Sequence, residues 1–127
     1  MRCVEQVLTP EIVALRLVGD LDLASAPEAR TRLRQLVDDG WRRVVLDLDS
    51  CDFVDSVGLG VLIGVRRRLG QVEGAMVIAN AAQLLRVFQT ADLETLFQFA
   101  DSIDMAAAEL STEILESTGT EPSEGGD

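Results

Sequence analysis

Hydrophobic positions along the chain follow two different periods. Over Ile12–Val18 and again over Val44–Leu48, large apolar residues occupy every second position, which predicts strands with one buried face. From Val57 to Leu69 the apolar residues are spaced four apart, which predicts an amphipathic helix. The period changes at a polar connection that ends in Asp55 and Ser56. Asp or Ser at such a position is typical of a helix N-cap.

The same reasoning divides the rest of the chain into strands and helices. The predicted elements are, in chain order, a strand at Arg2–Val7, a helix capped by Ser25 with Glu28 and ending near Gly40, a strand at Ala75–Ala79, a helix at Ala81–Gln89 capped by Asn80, a short strand at Phe97–Phe99 and a helix at Ile103–Leu115. Strands joined by a short turn are antiparallel, whereas strands joined through a helix are parallel.

This order predicts one α/β domain with a mixed β-sheet. Its N-terminal hairpin is antiparallel, its later strands are parallel, and its helices lie mainly on one face. Arg16 and Asp47 are then expected on the other, less covered face. Because they would stand on neighbouring strands, we expect their side chains to be within reach of each other.

Composition excludes several classes of function. The 127-residue chain has no His and, because all 11 basic residues are Arg, no Lys. It therefore cannot form a Ser-His-Asp triad, a His-containing metal site, a P-loop lysine or a Schiff base. The chain has no apolar run long enough for a membrane span, and MRCVEQ lacks the features of a signal peptide, so a cytoplasmic location is expected. In that compartment, Cys3 and Cys51 are expected to be free thiols.

Charge is distributed unevenly along the chain. The formal net charge is −11, yet residues 1–86 hold all 11 Arg with 12 acidic residues, whereas residues 87–127 hold ten acidic residues and no basic one. The folded body is therefore nearly neutral and offers no basic footprint for nucleic acid. Residues 117–127 contain no apolar anchor, which predicts a disordered acidic tail after a domain of residues 1–116.

Three glycines mark the helix that follows Ser56. Gly58, Gly60 and Gly64 lie within seven residues, although each glycine costs about 1 kcal/mol relative to alanine inside a helix. On a helical wheel, Gly58 falls on the core side, where a close approach to the sheet would favour the absence of a side chain. Gly60 and Gly64 fall on the far side with Arg67. That smooth face is either a docking surface or a second place of close packing.

Three segments carry a resemblance to a known family. They are GDLD at Gly19–Asp22, DLDSCDFVDSVGLGVLIG at Asp47–Gly64 and LLRVFQTADLETLFQF at Leu84–Phe99. In these segments and in the order of its elements, the chain resembles the STAS domain, and within that group the small anti-sigma factor antagonists of bacteria. The resemblance covers residues 1 to about 115 and implies the STAS-like fold.

The resemblance also implies a site. Ser56 corresponds to the family's phosphoacceptor, and the residues that would meet a partner are Asp20, Asp22, Asp55, Val57, Gly60, Ile63, Gly64 and Arg67. The implied partner is an anti-sigma factor of the GHKL serine-kinase type, which holds the ATP, so that this chain needs no cofactor. Unphosphorylated protein would bind this factor and free the sigma factor. Phosphorylation of Ser56 would end the binding, and a phosphoserine phosphatase would restore it.

Some features depart from the family pattern and leave alternatives open. Val57 stands where many members carry a second hydroxyl residue, and the acidic end of the chain after Ile103 is not part of the motif. One alternative is a STAS scaffold or accessory subunit of a stress-signalling complex or transporter. Another is an enzyme with Ser56 as nucleophile and Asp55 as base, although a carboxylate with a pKa of about 3.9 is a poor base for serine. An open sheet edge at the first strand allows a monomer or a weak dimer.

Deleting residues 117–127 should leave the stability of the domain unchanged, because this segment has no apolar residue to bury. Thermal unfolding of the full-length and shortened proteins, followed by far-ultraviolet circular dichroism, measures the difference. The two melting temperatures should agree within about 1 °C. A loss of several degrees would show that the tail packs against the domain.

Overall fold

The computed structural model describes residues 1–119, with side chains as far as residue 114. Its elements are β1 (Arg2–Thr9), β2 (Ile12–Val18), α1 (Ala26–Asp38), β3 (Arg43–Asp47), α2 (Ser56–Gln71), β4 (Ala75–Ala79), a short 3-10 helix (Ala82–Leu84), α3 (Leu85–Thr90), β5 (Gln98–Ala100) and α4 (Ile103–Gly119). The predicted order of strands and helices is confirmed, with small shifts at the ends of some elements. None of the helices in this part of the chain is long and apolar enough to cross a membrane.

The five strands form one sheet in the order β1-β2-β3-β4-β5. β1 pairs antiparallel with β2, and each later pair of neighbours is parallel. A two-residue turn joins β1 to β2, whereas the parallel connections pass through helices, as chain geometry requires. The sheet is therefore mixed, as predicted. The carboxyl ends of β2, β3 and β4 lie at the same edge.

Side chains of the central strands alternate between two cores. Val13, Leu15 and Leu17 of β2 belong to the larger core, which α1, α2 and α3 cover. Their neighbour Ala14 points to the other face and packs in a smaller core with residues of α4. Three of the four helices thus lie on one face, which confirms the prediction, and α4 covers part of the second face.

Asp47 at the end of β3 is the one fully buried charged side chain among the described residues. Its carboxylate accepts hydrogen bonds from Nε of Arg16 (2.8 Å), the side-chain amide of Asn80 (2.9 Å) and the N–H of Asp49 (3.0 Å). The hydrogen bond to Asp47 and the carboxylate charge raise the pKa of Arg16. The predicted contact between Arg16 and Asp47 is confirmed. Because a buried charge needs such partners, Asp47 ties the ends of β2, β3 and β4 together.

Ser25 occupies the predicted N-cap position of α1, but neither its side chain nor that of Asn80 caps a helix. The Ser25 side chain does not cap α1; its hydroxyl donates to the Asp20 carbonyl oxygen (2.7 Å) and accepts from the Asp22 N–H (3.0 Å). Asn80 has a left-handed φ of 60° and donates its side-chain amide to Asp47 instead of capping a helix. The helix predicted at 81–89 is divided into the 3-10 helix and α3. In both cases the side chain forms its hydrogen bonds with residues outside the predicted helix.

The described chain extends beyond the predicted domain boundary. α4 continues to Gly119, so the boundary predicted after residue 116 falls inside this helix. The rest of the predicted tail, residues 120–127, lies outside the described residues. Cys3 on β1 and Cys51 after β3 are both free, which confirms the prediction of unpaired thiols.

Gly58 makes the close approach that its position on the wheel predicts, but to a loop instead of the sheet. A Cβ added at Gly58 would lie 2.4 Å from the carbonyl oxygen of Leu21 and 2.8 Å from its Cγ. Leu21 belongs to the connection between β2 and α1. At Gly60 and Gly64 an added Cβ would meet nothing within 4 Å. Close packing therefore explains Gly58 and leaves Gly60 and Gly64 as parts of an open face.

Replacing Gly58 with Ala should destabilise the protein by about 1–3 kcal/mol, because the new methyl group forces the backbone of Leu21 to move. The matched control is Gly64→Ala, where only helix propensity changes, so stability should stay the same or rise by up to about 1 kcal/mol. Urea unfolding of both variants measures the free energies of unfolding. Equal stabilities would contradict the close approach of Gly58 to Leu21.

Candidate functional site

Two loops at the carboxyl edge of the sheet are joined by backbone hydrogen bonds. The first loop comprises residues 19–25, between β2 and α1, and the second loop comprises residues 48–55, between β3 and α2. Gly19 N–H donates to the Ser50 carbonyl oxygen (3.0 Å) and Leu21 N–H to that of Phe53 (2.9 Å). In return, Asp55 N–H donates to the Leu21 carbonyl oxygen (3.1 Å). Leu21 is fully buried where the loops meet, so the two loops form one surface.

Asp55 connects this pair of loops to α2. Its Oδ1 accepts from the N–H of Gly58 (2.8 Å) and caps the helix, while Oδ2 accepts from the N–H of Leu23 (3.1 Å). Ser56 follows as the first residue of α2 and is exposed, at the place where the sequence predicts it. Asp55 is among the residues predicted to meet a partner, but both of its oxygens make bonds within the protein. Its carboxylate holds the backbone around Ser56 in place.

Asp20 and Asp22 lie on the first loop but differ in their surroundings. Asp22 Oδ1 accepts from the N–H groups of Ala24 (3.0 Å) and Ser25 (3.1 Å), so this carboxylate shapes the loop. Asp20 is exposed, as is Asp52 on the second loop. Within the described residues, no group of His, Cys, Asp or Glu side chains could hold a metal ion. Asp20 and Asp52, both exposed, give this surface an acidic rim.

Gln83 holds the second loop from the side of the 3-10 helix. Its side-chain amide donates to the carbonyl oxygens of Leu48 and Cys51, each at 2.8 Å. The buried Cys51 thiol donates to the Phe53 carbonyl oxygen (3.4 Å). Burial raises the pKa of this thiol, which therefore stays protonated at neutral pH. No sequence motif indicates Gln83, because its partners are backbone groups 35 and 32 residues away.

Three large apolar side chains around Ser56 are exposed. Leu23 of the first loop is 71% exposed, Phe53 of the second loop 50% and Val57 in the first turn of α2 37%. The hydrogen bonds between the loops bring these three segments together. Clustered apolar groups on a surface are typical of a protein-binding site. Sequence reasoning identified Val57 but missed Leu23 and Phe53, which no sequence motif singles out.

One stripe of α2 continues from Ser56 along the helix. Gly60, Gly64 and Arg67 on this stripe are exposed, while Ile63 at its edge is partly buried against the larger core. Together with α1, the stripe borders a groove of about 230 Å³. The structure thus brings the predicted residues of α2 onto one open side of the helix that begins at Ser56.

Comparison with known proteins identifies the family to which this chain is similar. The family model described as STAS domain matches residues 4–106. BtrV of Bordetella bronchiseptica, whose name assigns it as an anti-sigma factor antagonist, is 36% identical over 99 residues, which are 77% of this chain and 85% of BtrV.

Solved structures share the same fold. The anti-sigma factor antagonist SpoIIAA in its unphosphorylated form matches 87% of this chain and 98% of its own, with a TM-score of 0.67 and 24% identity. A sulfate transporter family protein from Wolinella succinogenes matches 86% of this chain and 92% of its own, with a TM-score of 0.75 and 12% identity. At these identities the structures establish the fold alone. The match over residues 4–106 and the identity to BtrV establish more, and the chain belongs to the STAS domain family.

Proposed function

We propose that this protein is an anti-sigma factor antagonist controlled by phosphorylation of Ser56. The unphosphorylated form binds an anti-sigma factor of the GHKL serine-kinase type and thereby releases the sigma factor. Phosphorylation ends this binding, and a separate phosphoserine phosphatase restores it. The observation that carries the proposal is the exposed position of Ser56 as the first residue of α2, among three exposed apolar side chains.

The surface around Ser56 suits a protein partner. Leu23, Phe53 and Val57 supply apolar contact area, and Asp20 and Asp52 supply a polar rim, which is the general arrangement of a protein interface. A kinase that modifies Ser56 must bring ATP to this hydroxyl. Binding and phosphorylation then use the same surface, so the modification acts directly on the interface that it controls.

The contacts of Asp55 favour a binding module over an enzyme. A serine nucleophile needs a base that removes its proton, but both oxygens of Asp55 already accept hydrogen bonds from Gly58 and Leu23. The chain has no His or Lys that could take this role. The protein needs no cofactor of its own, because the kinase supplies the ATP. It acts in the cytoplasm as a monomer or weak dimer, without binding nucleic acid or a membrane.

The alternative role, a scaffold or an accessory subunit of a transporter, uses the same fold. The similarity to the sulfate transporter family protein rests on 12% identity and concerns the fold alone. The relative at 36% identity carries the name of an anti-sigma factor antagonist. The higher sequence identity to the relative named as an anti-sigma factor antagonist favours regulation of an anti-sigma factor.

Phosphate on Ser56 acts at the interface with little effect on the fold. It adds a charge of about −1.5 to −2 at pH 7, and the free amides and dipole of the α2 N-terminus accommodate an anion. In the complex, however, the phosphate faces the nucleotide phosphates of the kinase. One like-charge pair at about 6 Å, with an effective dielectric constant near 20, costs about 3 kcal/mol. This corresponds to about a hundredfold loss of affinity.

Ser56→Ala should retain the affinity of the wild-type protein and resist phosphorylation, whereas Ser56→Asp should fold normally and bind at least about tenfold more weakly. Isothermal titration against purified GHKL-type anti-sigma factors of the source organism measures both affinities. Mass spectrometry after incubation with the kinase and ATP identifies the modified residue.

Thr95→Asp is the control for an added charge, because Thr95 is exposed and lies beyond α3, away from the two loops. This variant should bind like the wild-type protein. Equal affinities of Ser56→Ala and Ser56→Asp would overturn the charge mechanism. If the wild-type protein binds none of these anti-sigma factors, the proposed function itself is wrong.

A further inference from the structure

α1 and α2 border a groove on the side of the molecule that carries Ser56. Its volume is about 230 Å³. α1 contributes two arginines to its lining, and α2 contributes glycine, valine, arginine and glutamine. The lining residues are Arg30, Arg34, Gly60, Val61, Gly64, Val65, Arg67, Arg68 and Gln71.

The positive charge of this groove is largely unpaired. Arg68 forms an ion pair with Asp38, whereas Arg30, Arg34 and Arg67 are exposed and form no ion pair within residues 1–114. The sequence of α2 contains no acidic residue. In a chain with a formal net charge of −11, the groove is therefore a local concentration of positive charge.

The groove lets another chain approach α2 closely. Gly60 and Gly64 have no side chains, and the space where their Cβ atoms would stand is open to at least 4 Å. Val61 and Val65 also line the groove but are almost fully buried. A segment that lies here can contact the backbone of α2 while its acidic groups reach the arginines of both helices.

We propose that this groove is the docking site for an acidic segment of the anti-sigma factor. The inference rests on the proposed function, because the segment belongs to the same partner that covers Ser56. Charge complementarity indicates an acidic segment, since both helices contribute arginines without an ion pair to the groove. The groove deepens the proposed interface by adding Arg30, Arg34 and Arg68 to the residues that meet the partner.

The position of the groove sets the orientation of the partner. Gly64 lies eight residues after Ser56 on the same stripe, about 12 Å along the helix, so a partner that covers Ser56 reaches the groove. The Ser56 end of the surface carries Asp20 and Asp52, and the groove end carries arginines. An acidic segment is repelled at the first end and attracted at the second. This polarity fixes the direction in which the partner lies along α2.

The charges beside the groove favour a short acidic protein segment over nucleic acid. A long polyanion that extends past the groove towards Ser56 is repelled by the exposed Asp20 and Asp52. A short acidic segment places its charge only where the arginines are.

The test compares two triple variants that remove the same amount of charge. The groove variant carries Arg30→Gln, Arg34→Gln and Arg67→Gln; the control carries Arg2→Gln, Arg66→Gln and Arg86→Gln, three exposed arginines that are likewise without ion pairs within the described residues. The probes are the anti-sigma factor that binds in the Ser56 experiment and a fluorescein-labelled helical peptide with Glu at every third and fourth position.

The groove variant should bind both probes about tenfold more weakly than the control in 0.1 M salt. The difference should largely vanish in 1 M salt, where the screening length falls from about 10 Å to about 3 Å. Gly64→Leu fills the groove without changing the charge and should also weaken binding. It separates docking in the groove from attraction at a distance.

Four results would overturn the inference. They are equal losses in the two triple variants, unchanged binding by Gly64→Leu, tighter binding of single-stranded DNA than of the peptide, and an increase in peptide affinity when residues 120–127 are deleted, which would make this chain's own acidic end the occupant. The Ser56 variants separate the two proposals. If Ser56→Asp abolishes binding while the groove variant binds normally, the switch stands and the groove proposal fails.

Discussion

The contact between the Leu21 carbonyl and Gly58 determines the geometry of the whole site. Leu21 is buried, and its N–H and carbonyl oxygen both bond to the second loop. The first turn of α2 then packs so closely against Leu21 that only glycine fits at position 58. Because this contact fixes the two loops relative to the helix, Leu23 shares one surface with Phe53 and Ser56, although it lies 30 residues before Phe53 in the chain.

The surface that results has two ends with different chemistry. Around Ser56 the exposed groups are apolar or acidic, whereas farther along α2 they are glycine and arginine. A buried carboxylate, Asp47, fixes the strand ends beneath the loops through Arg16 and Asn80. The edge of the sheet thus supports a surface whose charge changes sign along α2. This change of charge can orient a protein partner along the helix.

The regular elements could be predicted because burial leaves a local pattern in the sequence. The alternation in β2 and the four-residue spacing in α2 record which side of each element is buried, and the change of period places Ser56 at a helix start. Asn80 shows where local reasoning fails. It precedes a helix and is typical of a cap, but its side-chain amide donates a hydrogen bond to Asp47, 33 residues away. The exposure of Leu23 and Phe53 likewise depends on how two distant loops meet, which no local pattern records.

The strand order has a consequence for synthesis on the ribosome. Because β1 to β5 lie in the sheet in the order in which they are made, each new strand adds to an edge that has already emerged. Leu21 and Gly58 can meet as soon as α2 has left the ribosome. Gln83, which holds the carbonyl groups of Leu48 and Cys51, emerges later. The loop before Ser56 can therefore gain its two hydrogen bonds from Gln83 only after the segment that follows β4 has left the ribosome.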